Sequence, residues 1–183
     1  MIACTSCLTA CLITRSTETL VAPVTAPRIQ DVQGVTSPRL GGLLVLQQGT
    51  GPTQVDFRVP IDDDGVDKAL EYQFFVNANR DCVPMTGTTC EPDLRPEIVP
   101  SDGNVRRMVV RTLTIPQVGC NRVELYVTSS QLLLSGNYRT PSVAGDLAFE
   151  TWWIFVVPRG GTTTGADGGV FDPLQQCAYL VQP

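Results

Sequence analysis

The chain has no histidine and a single lysine, Lys68, among its 183 residues. Without an imidazole, neither a Ser-His-Asp triad nor a Cys-His pair can be assembled. A Ser-Lys dyad would have to use Lys68, which lies in an acidic turn, and no Gly-x-x-x-x-Gly-Lys-Ser/Thr phosphate loop occurs. Carboxylates are scattered except for the consecutive turn residues Asp62 to Asp64, a poor arrangement for glycoside cleavage by two opposed acids. The expectation is a protein that is not an enzyme. Positive charge is also scarce, with 13 basic against 18 acidic residues and a formal charge of −5. Nucleic-acid binding needs clustered Lys and Arg to neutralise phosphates, so that class is excluded. No run approaches the roughly 20 apolar residues required to span a bilayer. Any membrane attachment would be through lipid.

What is present is apolar, punctuated and rich in cysteine. Hydrophobic residues make up 43% of the chain, enough for a real core and too many for a disordered segment. One domain is expected over residues 28–183. Of the seven cysteines, Cys4, Cys7 and Cys11 crowd the start, whereas Cys82, Cys90, Cys120 and Cys177 are spread through the body. Four body cysteines suit two disulfides in an oxidising compartment and allow three connectivities. The favoured pairing is Cys82 with Cys90, across a short loop that Pro84 and Gly87 turn back, and Cys120 with Cys177, tying the C-terminal segment to a central strand.

Residues 1–10 read as a residual or truncated signal segment, and residues 11–27, rich in Thr, Ala and Pro, as a semi-extended tether. In the run Leu8-Thr9-Ala10-Cys11, an apolar residue and two small ones precede a cysteine. It resembles the lipobox of bacterial lipoprotein signal peptides. The resemblance implies cleavage before Cys11, a diacylglycerol on its thiol, and firm anchoring once the new amine is also acylated. Ten residues precede Cys11 and none is Lys or Arg, so a basic region would have to lie upstream of Met1. The competing reading is a metal or cluster site on Cys4-x-x-Cys7-x-x-x-Cys11. It falls short of the usual four ligands in a chain without histidine.

From Arg28 onward, β-branched and aromatic runs alternate with Gly, Pro, Asn and Asp, and no amphipathic helical stretch competes. Strands are expected at 29–35, 43–48, 54–61, 70–77, 106–115, 122–129, 147–157 and 177–181, with long loops at 81–103 and 158–169. In the third strand Val55, Phe57, Val59 and Ile61 share one face, and Gln54, Asp56 and Arg58 the other. The fifth has apolar residues on both faces, so its inward side stays open. The run Trp152-Trp153-Ile154-Phe155-Val156-Val157 is the most apolar and is expected mid-sheet. Adjacent strand residues point to opposite faces, so only one of the two tryptophans can join the core. Trp153 is expected there, with Trp152 covered by a loop. An exposed indole would instead suggest glycan binding.

The segment Val59 to Val76 runs from an apolar strand through Asp62-Asp63-Asp64-Gly65-Val66-Asp67-Lys68 into Leu70, Tyr72 and Phe74. It is similar to the strand, acidic turn and strand of bacterial immunoglobulin-like domains, including PKD-like and cadherin-like modules. Gly119 to Thr128 is similar to a glycine turn and alternating strand near the end of such modules. The resemblance implies an all-β, immunoglobulin-like β-sandwich with disulfides. Asp62, Asp64 and Asp67 offer hard oxygen ligands for calcium, although their spacing is not that of an EF-hand. In the related modules further acids come from neighbouring loops, and Asp102 and Asp146 are the available ones. No other cofactor is indicated. The functional expectation is a non-catalytic lipoprotein at the bacterial outer membrane or cell surface, otherwise periplasmic or secreted. Its role would be structural or adhesive, with an envelope protein or glycan as partner. The alternative is a calcium- or glycan-binding surface module. Loop 81–103 is the expected contact surface.

Overall fold

Alternation of apolar and polar side chains dictates which face the strand Thr53–Asp62 buries, with Val55, Phe57, Val59 and Ile61 inward. In a computed structural model describing residues 25–77, 95–116, 118–133, 138–160 and Cys177, the chain builds two facing sheets. The strands are β1 (Arg28–Ile29), β2 (Leu43–Gln47), β3 (Thr53–Asp62), β4 (Leu70–Val76), β5 (Glu97–Val99), β6 (Arg106–Ile115), β7 (Gly119–Thr128), β8 (Leu132–Leu133), β9 (Thr140–Pro141) and β10 (Ala148–Val157). One sheet has the order β1-β3-β6 and the other β2-β10-β7-β4-β5, while β8 and β9 form a small separate hairpin. Pairing is antiparallel except between β2 and β10, which run parallel from Leu43 beside Trp153 to Gln47 beside Val157. Consecutive strands β3 and β4, then β6 and β7, lie in opposite sheets. This is the strand distribution of an immunoglobulin-like sandwich, with the first strand divided between the two sheets.

The core fills the space between the sheets. Val55, Phe57, Val59 and Ile61 of β3 and Val109 and Ile115 of β6 meet Leu70, Tyr72 and Phe74 of β4, Val123, Leu125 and Val127 of β7, and Trp152, Ile154 and Val156 of β10. Phe57 lies 5.2 Å from both Phe74 and Trp152, edge-on to the latter at 77°, an arrangement that suits ring quadrupoles. The indole N–H of Trp152 donates to the Pro38 carbonyl at 3.1 Å, so the ring is fully buried with its one donor satisfied.

The two tryptophans therefore exchange the places expected of them. Trp152 shares its face with Ile154 and Val156, whereas Trp153 is half-buried on the outer face and packs with Phe155, Val157 and Cys177. The expectation failed because β10 is covered on both sides, so hydrophobicity alone does not reveal which face is inward. On β6 the inward side is the one with Arg107, Val109 and Ile115, while Met108 and Val110 face out.

Other boundaries also move. The strand expected over 29–35 stops at Ile29 because Thr36 closes a turn: its hydroxyl accepts from Val32 N at 2.7 Å and donates to Gln30 O at 2.9 Å. Gly34 supplies the positive φ of 75° that the turn needs. Within the loop expected over 81–103, β5 adds an edge strand to β4, and the hairpin of β8 and β9 had no sequence signal beyond the three leucines that begin at Leu132. Cys120 and Cys177 are joined by a disulfide with a Cα–Cα distance of 5.5 Å. Cys177, where the last strand (177–181) was expected to begin, is helical instead. The rest of that strand, Cys4, Cys7, Cys11, Cys82, Cys90, most of the tether and residues 161–169 lie outside the described residues.

Replacing Trp152 by Ala should cost about 3–5 kcal/mol, the range for truncating a large buried aromatic. Trp153→Ala should cost clearly less. Denaturant unfolding of the two variants decides the assignment, and equal losses would contradict it.

Candidate functional site

The acidic turn between β3 and β4 is braced by the start of β6. Asp62 receives two hydrogen bonds from Arg106, at 2.7 and 2.9 Å. That bonding holds its carboxyl below the usual carboxylate range, against a smaller opposing effect of burial. Asp63 and Arg107 form an ion pair with side chains 2% and 1% exposed, and Arg107 also donates to the Lys68 carbonyl. Asp63 accepts from Gly65 N at 3.2 Å. Asp64 is exposed and lies 3.8 Å from Arg28, and Asp67 is exposed.

The three expected calcium ligands are therefore not brought together. Asp62 and Asp64 face arginines, and calcium coordination would first have to break those contacts. Asp102 accepts from Asn104 N at 3.0 Å. Asp146 is buried at the base of the connection between β7 and β10, where it takes hydrogen bonds from Thr128 and Ser129. Among the described residues, no group of three or more His, Cys, Asp or Glu side chains is arranged to hold a metal ion.

A second polar group links the two sheets between β5 and β6. Glu97 on β5 accepts from the Tyr72 hydroxyl at 2.6 Å and pairs with Arg111 of β6. Burial, then the bond and charge of Glu97, push the Tyr72 phenol well above its ordinary value. A third lies on the outer face of the five-stranded sheet. There the buried Glu124 sits 3.5 Å from Arg122 and 3.4 Å from Arg139, and the Arg139 guanidinium lies 3.9 Å above the Phe75 ring. Tyr126 stacks on Phe149 at 5.9 Å, leaving Phe149 60% exposed.

The outer face of the three-stranded sheet is different in kind. Val35, Met108 and Val110 are 40%, 37% and 57% exposed. With Asp56 and Arg58 they line a shallow cleft of about 690 Å³. Arg58 pairs across the ladder with Val110, and Asp56 with Thr112, whose hydroxyl donates to it at 2.6 Å. An apolar strip beside one cation and one engaged carboxylate has the chemistry of a contact surface. Sequence reasoning missed it, although Met108-Val109-Val110 carried the signal: three apolar residues in a row place hydrophobic surface on both faces of a strand. The described part of loop 81–103, the expected contact surface, instead contributes Glu97 to the bridge just described.

No protein-family model matches the chain, and none of the curated proteins matches it. Among solved structures, it is similar to the CARDB domain of a Pyrococcus furiosus protein crystallised in complex with di-metal ions. That domain is 11% identical, with 73% of this chain and 92% of that one covered, and the TM-score is 0.35.

Asp63→Asn should cost about 3–5 kcal/mol, since it strands the buried Arg107 charge, whereas Asp64→Asn on the exposed pair should cost under about 1 kcal/mol. Denaturant unfolding at neutral pH checks both. Tyr72 generates a separate alkaline prediction. Because its folded-state value is raised, its contribution is complete below about pH 10, the ordinary phenol value, and is lost as pH rises through the folded value. Tyr72→Phe should flatten the alkaline arm of the stability curve, and an unaltered arm would assign that loss to another group.

Proposed function

We propose that this chain is a non-catalytic, exported β-sandwich module, anchored through lipid on Cys11 to a bacterial envelope and serving a structural or adhesive role there. The observation that carries export is the Cys120–Cys177 disulfide, which fastens residue 177 to a central strand. Such bonds persist where thiols are oxidised. The Leu8-Thr9-Ala10-Cys11 run supports the anchor, and its Thr/Pro-rich continuation would hold the sandwich away from the lipid surface. The adhesive part rests on the outer face of the three-stranded sheet, where Val35, Met108 and Val110 are exposed together. An envelope protein presenting a complementary apolar strip is the partner this surface suits.

A glycan-binding role has one observation of its own. Phe149, stacked on Tyr126 and open on its other side, offers the ring face against which sugars pack, a role Trp152 is buried too deeply to fill. Loss of glycan retention on Phe149→Ala, with stability unchanged, would favour it.

Intact mass of the protein extracted from membranes tests the main reading. The expected species begins at Cys11 and carries a diacylglycerol and an acyl chain. An unmodified chain beginning at Met1 would refute the anchor.

A further inference from the structure

The sheet order leaves β6 at the edge of the three-stranded sheet, and among the described residues no strand pairs with its outer side. Which backbone groups point there follows from the neighbouring ladder. Arg58 of β3 exchanges both backbone hydrogen bonds with Ser37, at 2.7 and 3.0 Å, and Pro60 accepts from Gln30 at 2.9 Å. The even-numbered residues of β3 therefore direct N–H and C=O away from β6, and the odd-numbered ones toward it. In the register Val55 to Leu113, Phe57 to Arg111 and Val59 to Val109, the odd residues of β6 are taken. Arg106, Met108, Val110, Thr112 and Thr114 direct their backbone groups to the open edge. Their side chains are the ones exposed on the sheet's outer face.

Sheet edges are normally guarded by charge, proline or a bulge. Here the middle of the edge is Met108 and Val110, and the apolar strip continues to Val35. We infer that β6 pairs with β6 of a second copy, antiparallel about a two-fold axis at Val110, so that two three-stranded sheets become one continuous sheet. This rests on the reading of that face as a contact surface.

The occupant is argued from self-complementarity. An axis at Val110 sets Val110 against Val110, Met108 against Thr112 and Arg106 against Thr114, every one a residue whose backbone groups point outward. It places no like charges directly opposite. Arg111 falls opposite Val109, and its charge is already met by Glu97 of its own chain. The apolar strips of both copies then adjoin, as an isologous interface requires.

Substitutions on a two-fold axis face themselves, and this supplies the test. Sedimentation of the full chain bearing Cys11→Ser, so that no lipid micelle gathers copies, should give twice the chain mass. Val110→Lys and Val110→Asp should each sediment as monomers, and an equimolar mixture of the two should recover the doubled mass. A chain that is monomeric at every concentration reached, or a dimer that survives both substitutions, overturns the pairing. Should a variant fail to fold, amide exchange of the Cys11→Ser chain serves instead: Met108, Val110 and Thr112 should gain protection with concentration, and constant exchange overturns the inference. Monomers that still carry lipid at Cys11 when Cys11 is left intact would sink the pairing alone, whereas dimers without lipid would sink the anchor alone.

Discussion

Two sheets are held together here by three rings that meet between them. Phe57 comes from β3, Phe74 from β4 and Trp152 from β10, and every neighbouring register serves to keep those three on the inside. The side-chain period of a strand is two residues, so slipping β10 by one would bring Trp153 and Phe155 inward and turn Trp152 out. The indole donor adds a constraint from beyond the sheets. Its acceptor is Pro38, so the path of the connection between β1 and β2 is tied to the centre of the core. The bridge between Ser37 and Arg58 fastens that connection to β3 from the other side.

Around the core, charge is buried where the chain must be held in a particular path. Asp63 with Arg107 closes the turn that leads β3 into β4, and Glu124 with Arg122 and Arg139 holds the connection after β7 down on the outer face of its sheet. Removing charges from water is expensive, and a hydrophobic pair of similar size is often the more stable choice. What these pairs contribute is direction: a carboxylate and a guanidinium meet in few geometries, so each selects one course for the chain. The resulting sandwich has one face covered by a folded-back connection and aromatic stacking, and another that remains open around Met108 and Val110.

Much of this fold was legible because alternation is a local signal. The faces of β3 and the extents of β2, β4 and β6 follow from side-chain spacing to within a residue or two. The inward faces of β6 and β10 did not follow, for a common reason. Arg107 points into the protein because Asp63, 44 positions away, is there to meet it, and Trp152 faces inward where Phe57, Phe74 and the Pro38 carbonyl receive it. Both outcomes depend on partners distant in sequence. The acidic turn was recognisable, but its aspartates could not be assigned to metal or to arginine without knowing that Arg106 and Arg107 would arrive beside them. The exposed strip on β6 was hidden similarly, since exposure is a property of what fails to cover a residue.

The parallel pairing of β2 with β10 has a mechanical meaning. Tension between the two ends of the chain would first lift the two-residue β1 from β3 and then pull β2 along its own axis from Leu43. At the other end, load entering at Cys177 would cross its disulfide into β7 at Cys120, bypassing residues 158–176. Cys120 lies level with Phe155, which is itself level with Val45 in the middle of β2. The β2 ladder would therefore be sheared, with its hydrogen bonds sharing the load, instead of being unzipped one bond at a time.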